Sequence, residues 1–337
     1  EEMTAISVLG ACAWGSTMAQ VLADAGNEVL VWGRNEVVID EINSSHTNNT
    51  YLPGSVLPSQ LRATGNIDEA MAHSRTYVLA IPAQSLRLKL EEWRSTIDKD
   101  ATLISTLKGI EVSTLMRMSE VVTNVLGVDP AHVAIITGPN LAYELVQRQP
   151  AAAVAAASTT QLAHYIQKLF TTSYYRVYTS TDLLGCEMAG AVKSVIALGV
   201  GIAVGMGLGE NTQSMLITRG LNEVARLGAA HGADPLSVAG LAGMGDLVAS
   251  CSSPLSRNRT FGEALGRGGT MEYARAHVAT TVEGVASAGA VVELAHRVGV
   301  EVPVIEAVAD VVNGIITPMQ ALERLMEISI RAEDFIQ

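Results

Sequence analysis

The spacing of apolar and polar positions changes repeatedly over the first 35 residues. Ile6, Val8 and Leu9 form a short apolar run that stops at Gly10. Met18, Val21 and Leu22 then recur at helical spacing as far as Gly26, and Glu28-Val-Leu-Val-Trp32 is again a compact apolar run. Runs of that length bounded by glycine read as strands, and the three-to-four spacing reads as a helix with one buried face. The stretch Ile6 to Asn35 is thus predicted as strand, glycine turn, helix and strand, the opening unit of a doubly wound sheet.

The alternation continues. A helical patch to about Ile42 leads into the polar loop Asn43 to Thr50 and a Pro/Gly-marked segment through Pro58, too irregular for a core element. Tyr77 to Ile81, Thr102 to Ser105 and Val133 to Thr137 have the pattern of parallel strands buried on both faces. Helices are expected at Ser85 to Trp93 and Leu141 to Val146, and strands at Ala151 to Ala157 and Tyr174 to Tyr178. From Thr181 the chain changes to long helical patterns, the last ending near Ile330, with no strand period. The expected fold class is α/β: an N-terminal doubly wound (Rossmann-type) sheet over residues 1–183, followed by an all-helical C-terminal domain over 184–337.

Candidate chemistry lies at the turns of this pattern. The first turn reads Gly10-Ala-Cys12-Ala13-Trp14-Gly15, a dinucleotide-binding GxGxxG spacing with Cys12 in the middle glycine's place. A helix that begins there presents unpaired N–H groups to a pyrophosphate. The second strand ends at Trp32-Gly33-Arg34 with no acidic residue to hold a ribose 2′-hydroxyl, while an arginine can pair with a 2′-phosphate, so the cofactor reading leans to NADPH; a solvated arginine is the alternative. Lys108 ends a strand, where ligands of such sheets bind, and either meets an anionic group or caps the strand in solvent. Gly138-Pro139-Asn140 is a turn whose N–H groups suit ligand oxygens. Lys193 sits among small apolar residues, where lost solvation lowers its pKa and makes it a usable proton donor; a lysine snorkelling off the helix is the alternative. Asp246, after a glycine-dense stretch, orients a lysine or caps a helix. Ser256-Arg257-Asn258-Arg259 groups donors suited to a phosphate or carboxylate, or forms a solvated loop.

Bulk composition narrows the partners. A chain of 337 residues, 48% apolar, can bury two cores. A net charge of −12 argues against a nucleic-acid partner, and no basic cluster suggests an anionic membrane surface. The three cysteines, Cys12, Cys186 and Cys251, have no disulfide or zinc spacing, which fits a reducing cytoplasm and no metal. Glu1-Glu2-Met3-Thr4 has no basic region of a secretory signal, and the uncharged run Ser194 to Gly209 falls short of the ~18 residues that span a bilayer, so no integral membrane segment is expected. His46 reads as a surface residue, and His132, His164, His231, His277 and His296 accompany no nucleophile motif.

Taken in order, VLGxxAWGSTMA, VWGRN, TLKG, Gly138-Pro139, GAVKS, GLGENT, GMGDLVASC, SSPLSRNRTFGE and VEG resemble bacterial-type NAD(P)-dependent glycerol-3-phosphate dehydrogenase, from Val8 to at least Gly284. The resemblance implies reversible reduction of dihydroxyacetone phosphate to sn-glycerol 3-phosphate, a head-group precursor of phospholipids, by a cytoplasmic homodimer using NADP or NAD. It makes Lys193 the catalytic proton donor and acceptor, with Lys108 and Asp246 beside it. It makes Gly138, Asn140, Ser256, Arg257 and Asn258 substrate-binding together with those three. It puts Gly10, Cys12, Ala13, Trp14, Gly15, Arg34, Lys108, Ala142, Arg257, Thr281 or Val282, and Glu283 near the cofactor. Three positions depart from the family pattern: Cys12 for glycine, Ser194 for the asparagine after the catalytic lysine, and Asn140 for serine or threonine. They leave two alternatives, a paralogue acting on a related hydroxy-phosphate or phosphonate and a weakened nucleotide-binding protein.

Overall fold

A computed structural model of the chain describes residues 3–278 and 281–328. The chain divides into two compact units: one runs to Leu107 and resumes over Met118–Leu183, and the other comprises Lys108–Arg117 and the chain from Leu184. The excursion at Lys108–Arg117 departs from a single cut after residue 183, and it carries one of the candidate site residues.

The first unit is built on strands β1 (Ala5–Leu9), β2 (Glu28–Trp32), β3 (Arg62–Thr64), β4 (Thr76–Leu79), β5 (Thr102–Ser105), β6 (Val133–Thr137), β7 (Ala151–Ala157) and β8 (Tyr175–Ser180). Their order in the sheet is β3-β2-β1-β4-β5-β6-β7-β8. All neighbours are parallel except β6 and β7. The first six strands have the order of a dinucleotide-binding doubly wound sheet. Helices α1 (Ala13–Asp24), α2 (Glu36–Ser45), α3 (Ile67–His73), α4 (Leu86–Trp93), α5 (Met118–Leu126), α6 (Ala142–Val146) and α7 (Thr160–Phe170) connect them. Val8, Val31, Val78 and Ile104 lie in one apolar cluster with Met18, Val21 and Leu22 of α1, the face set by the helical spacing.

The structure differs from the sequence reading in several elements, α5 and α7 among them, where no helix was expected. The helix expected to stop near Ile42 continues to Ser45 and closes on His46, which takes φ of 55°. β3 and α3 fill part of a region with no predicted element, because a three-residue strand has too few positions to display a period.

Among the described residues the second unit contains no strand of the sheet. Its helices are α8 (Leu183–Gly205), α9 (Glu210–Ala230), α10 (Pro235–Val238), α11 (Asp246–Ser252), α12 (Arg257–Gly266), α13 (Met271–His277), α14 (Glu283–Val298), α15 (Pro303–Val312) and α16 (Pro318–Met326). Ile330, near which the last helix was expected to end, lies outside the described residues. α8 is long and apolar enough to cross a bilayer, with mean hydropathy 1.8, yet it is buried along most of its length as the axis of this unit's core. Backbone-to-backbone packing brings α12 onto it: a Cβ at Gly201 would lie 2.2 Å from the Arg259 carbonyl oxygen, and one at Gly262 would lie 2.2 Å from that of Leu198. Both positions therefore require glycine, and the helix approach they permit sets Arg257–Arg259 beside α8.

Candidate functional site

In the first unit the candidate residues gather at the carboxyl ends of the strands, where doubly wound sheets bind ligands. Gly10 leaves β1 with φ of 137°, and a Cβ there would lie 2.2 Å from the Ala80 carbonyl oxygen. A Cβ at Gly15 would lie 1.8 Å from the Gly10 oxygen, so the turn folds onto itself only with both glycines. Cys12 takes an ordinary φ of −74° and caps α1: its Sγ accepts from the Gly15 N–H at 3.4 Å and donates to the Ala80 carbonyl at 3.4 Å. The middle position of this turn thus accommodates a side chain without backbone strain. Ala13 and Trp14 begin α1, whose first N–H groups have no partner within the helix and can receive a pyrophosphate. Arg34 is exposed just past the end of β2, and Asn35 caps the following helix. These features fit a dinucleotide: a glycine cradle, a helix N-terminus, and a cation rather than an acid after the second strand.

The Gly138 turn and Ala142 lie in the same unit. Asn140 uses its amide within the sheet, donating to the Ala152 carbonyl at 3.0 Å while its oxygen accepts from the Tyr175 hydroxyl at 2.9 Å. Its side chain therefore ties the turn to β7 and β8, and the Gly138 to Asn140 backbone is the part suited to a ligand.

In the second unit one carboxylate gathers two lysines. Asp246 starts α11 directly after a turn of π-helix at Leu241–Gly245, and its charge suits the positive end of the helix. Its Oδ2 accepts from Lys108 Nζ at 2.6 Å, and its Oδ1 accepts from Lys193 Nζ at 2.8 Å. Lys193 also donates to Ser250 Oγ at 2.6 Å, and Ser250 in turn lies 3.3 Å from Asp246 Oδ1. Asp246 is 2% exposed and Lys193 7% exposed, so the pair is screened little by water. Of the two readings of Asp246, the structure selects the lysine partner rather than the helix cap.

Burial pushes the Lys193 ammonium down from the usual lysine range to about 8; Lys108 adds to the fall, and Asp246 opposes it. The fall corresponds to roughly 3 kcal/mol in favour of the neutral amine. Desolvation therefore outweighs the ion pair, and Lys193 can release a proton near neutral pH. Burial alone would raise the Asp246 carboxyl, but the two cations overturn that and hold it below its ordinary value. Burial pushes the Cys251 thiol up to about 12, which keeps it neutral.

The remaining candidates are in the same unit. Ser256 caps α12 by accepting from the Arg259 N–H at 3.3 Å, and Arg257 follows it on the exposed surface. Asn258 Oδ1 accepts from the Gly284 N–H at 2.9 Å, which joins this segment to Val282 and Glu283 at the start of α14. Arg259 pairs with Glu263 at 3.0 Å and donates to the Ser252 carbonyl, so it holds the loop while Arg257 faces outward. The sequence reading did not single out Ser250. The signal was there, since a hydroxyl four residues after Asp246 lies on the same helix face.

The model for the N-terminus of NAD-dependent glycerol-3-phosphate dehydrogenase matches residues 5–163, and that for its C-terminus matches residues 182–323. The chain is 49% identical to glycerol-3-phosphate dehydrogenase (NAD(P)+) of Streptomyces griseus over 97% of each chain. It is 52% identical to that of Corynebacterium diphtheriae over 90% of this chain and 92% of the relative. The crystal structure of glycerol-3-phosphate dehydrogenase from Coxiella burnetii superimposes with a TM-score of 0.91 at 32% identity, covering 96% of this chain and 99% of that one.

Proposed function

The chain belongs to the family of NAD-dependent glycerol-3-phosphate dehydrogenases, and on that premise we propose that it reversibly reduces dihydroxyacetone phosphate to sn-glycerol 3-phosphate with NAD(P)H. The observation that carries this reading is the buried Lys193 on Asp246, with its pKa brought down to about 8.

When bound, a reduced nicotinamide supplies a hydride to the substrate's carbonyl carbon. The carbonyl oxygen becomes an alkoxide, and Lys193 Nζ stabilises that charge and then donates its proton to it. In the reverse direction the neutral amine accepts the hydroxyl proton. Asp246 keeps the lysine charged and aimed, Ser250 holds the same nitrogen from a second side, and Lys108 adds positive charge where the alkoxide develops. Arg257, with Ser256 and Asn258, is assigned to the substrate phosphate, which turns binding energy into positioning.

The Gly10 to Gly15 turn and the start of α1 would hold the pyrophosphate, with Ala142, Val282 and Glu283 as further cofactor contacts carried over from the family motifs. We assign Arg34 to the 2′-phosphate and therefore favour NADPH over NADH. The product would feed glycerophospholipid synthesis. The three scattered cysteines, Cys12, Cys186 and Cys251, with no disulfide-framework spacing, agree with a cytoplasmic setting, and the family resemblance supports a homodimer. A changed substrate or a weakened binding protein gains no support from Cys12, which sits in relaxed backbone geometry.

Incubating the protein with NADP+ and either sn-glycerol 3-phosphate or its enantiomer tests the assignment. NADPH and dihydroxyacetone phosphate should appear only with the first. Equal turnover of both enantiomers, or of neither, would refute it.

A further inference from the structure

Lys108 does not reach Asp246 from the sheet unit, although it lies only three residues beyond the end of β5. It belongs to a ten-residue excursion, Lys108–Arg117, that folds with the helical unit. The excursion is a closed loop. Ile110 and Arg117 form an antiparallel bridge, the Glu111 N–H donates to the Met116 carbonyl at 2.9 Å, and the Leu115 N–H donates to the Glu111 carbonyl at 2.8 Å. The Thr114 hydroxyl donates to the Glu111 carboxylate, and Leu115 takes φ of 60°, which turns the chain back.

Its two ends are fixed differently. At one end Ile110, fully buried, enters the helical core two residues after Lys108. At the other, Arg117 Nη1 lies 2.8 Å from Glu187 Oε2 on α8. The Glu187 side chain is 3% exposed and that of Arg117 16%, so this is an ion pair sheltered from water. α8 is also the helix that carries Lys193, six residues on. The loop thus hangs from α8 through Arg117 and reaches Asp246 through Lys108.

We propose that the Arg117–Glu187 ion pair is a positioning element that seats Lys108 on Asp246 and thereby sets how readily Lys193 gives up its proton. The inference rests on Lys193 acting as the proton donor. The groups facing Lys193 are Asp246, Ser250 and Cys251 on α11 and Lys108 on the loop. Lys108 is the member of that set held by the loop rather than by a helix, so its distance is the adjustable quantity. A sheltered pair that loses one charge leaves the other uncompensated, which makes the loop's hold on α8 sensitive to a single substitution.

The test is a double-mutant cycle between Glu187→Gln and Lys108→Met, with dihydroxyacetone phosphate and NADPH as substrates and the full chain as the protein. In the parent background Glu187→Gln should lower kcat about tenfold and leave the Kd for NADPH within about twofold. Because Lys108 lowers the Lys193 pKa, withdrawing it should move the alkaline fall in kcat to higher pH. In the Lys108→Met background Glu187→Gln should change neither kcat nor the pH profile, since the path through Lys108 is already cut. Arg117→Lys, which keeps the charge, should retain most of the activity, and Arg117→Gln, which breaks the pair from its other side, replaces Glu187→Gln in the cycle if that variant does not fold. Additive losses in kcat overturn the proposal, as does a lowered Tm with kcat and pH profile unchanged. Absence of turnover in the parent protein would instead overturn the dehydrogenase reading together with it.

Discussion

Lys193 Nζ and Asp246 Oδ1 lie 2.8 Å apart, both on side chains with almost no exposure to water. An exposed pair of this kind would contribute little. Here Asp246 limits a fall in the lysine's pKa that burial would otherwise carry further. The result is a cation that survives at neutral pH and can still be deprotonated in turnover. Replacing Lys193 with alanine should therefore lower kcat about a thousandfold or more. NADPH affinity measured by fluorescence titration should change little. Loss of cofactor binding instead would make Lys193 a structural residue.

Asp246→Asn keeps the shape and removes the charge. Lys193 then faces Lys108 without a counter-ion, and its pKa falls further below 8. In the reduction direction the protonated lysine is the active form, so the alkaline fall in kcat should move to lower pH than in the parent enzyme. A profile that stays put would show that Asp246 does not set the lysine's proton affinity.

The central strands and the first helix were legible because their periods are long enough to display. The stretch Ile6 to Trp32 shows both kinds of period in turn. The joining of Lys108–Arg117 to the helical unit was not legible. It depends on contacts such as Lys108 to Asp246, 138 positions apart, and no local pattern encodes those. For Asp246 the residue type allowed two uses, and a preceding π-type turn that local propensity does not announce aims the carboxylate at the lysines. Asn140 illustrates the converse. Its place in a glycine-proline turn suggested a ligand contact, while its amide is engaged by β7 and by Tyr175.

Cys12→Gly should tighten NADPH binding by a few-fold, because the Gly15 N–H now bonded to Cys12 Sγ becomes available to the pyrophosphate. Isothermal titration reads this directly. Unchanged or weaker binding would show that the sulfur cap helps the turn more than it competes with the ligand.

Glu223 provides a stability test away from the catalytic lysine. Its carboxylate accepts from the Val304 and Ile305 N–H groups at 2.8 and 3.1 Å at the start of α15, and burial pushes its pKa from 4.5 to about 7 in spite of those bonds. The folded protein therefore holds a proton that the unfolded chain gives up, and this contribution is lost as pH rises from about 4.5 through 7. The stability of the parent relative to Glu223→Gln should fall by up to ~3 kcal/mol between pH 5 and pH 8. Urea unfolding at the two pH values measures it, and a constant difference would mean that Glu223 stays ionised in the fold.

The most direct measurement follows NADPH, and separately NADH, by absorbance with dihydroxyacetone phosphate present and then omitted. Oxidation that depends on the substrate, and is faster with NADPH than with NADH, is the predicted result. Cofactor binding without substrate-dependent oxidation would contradict the account.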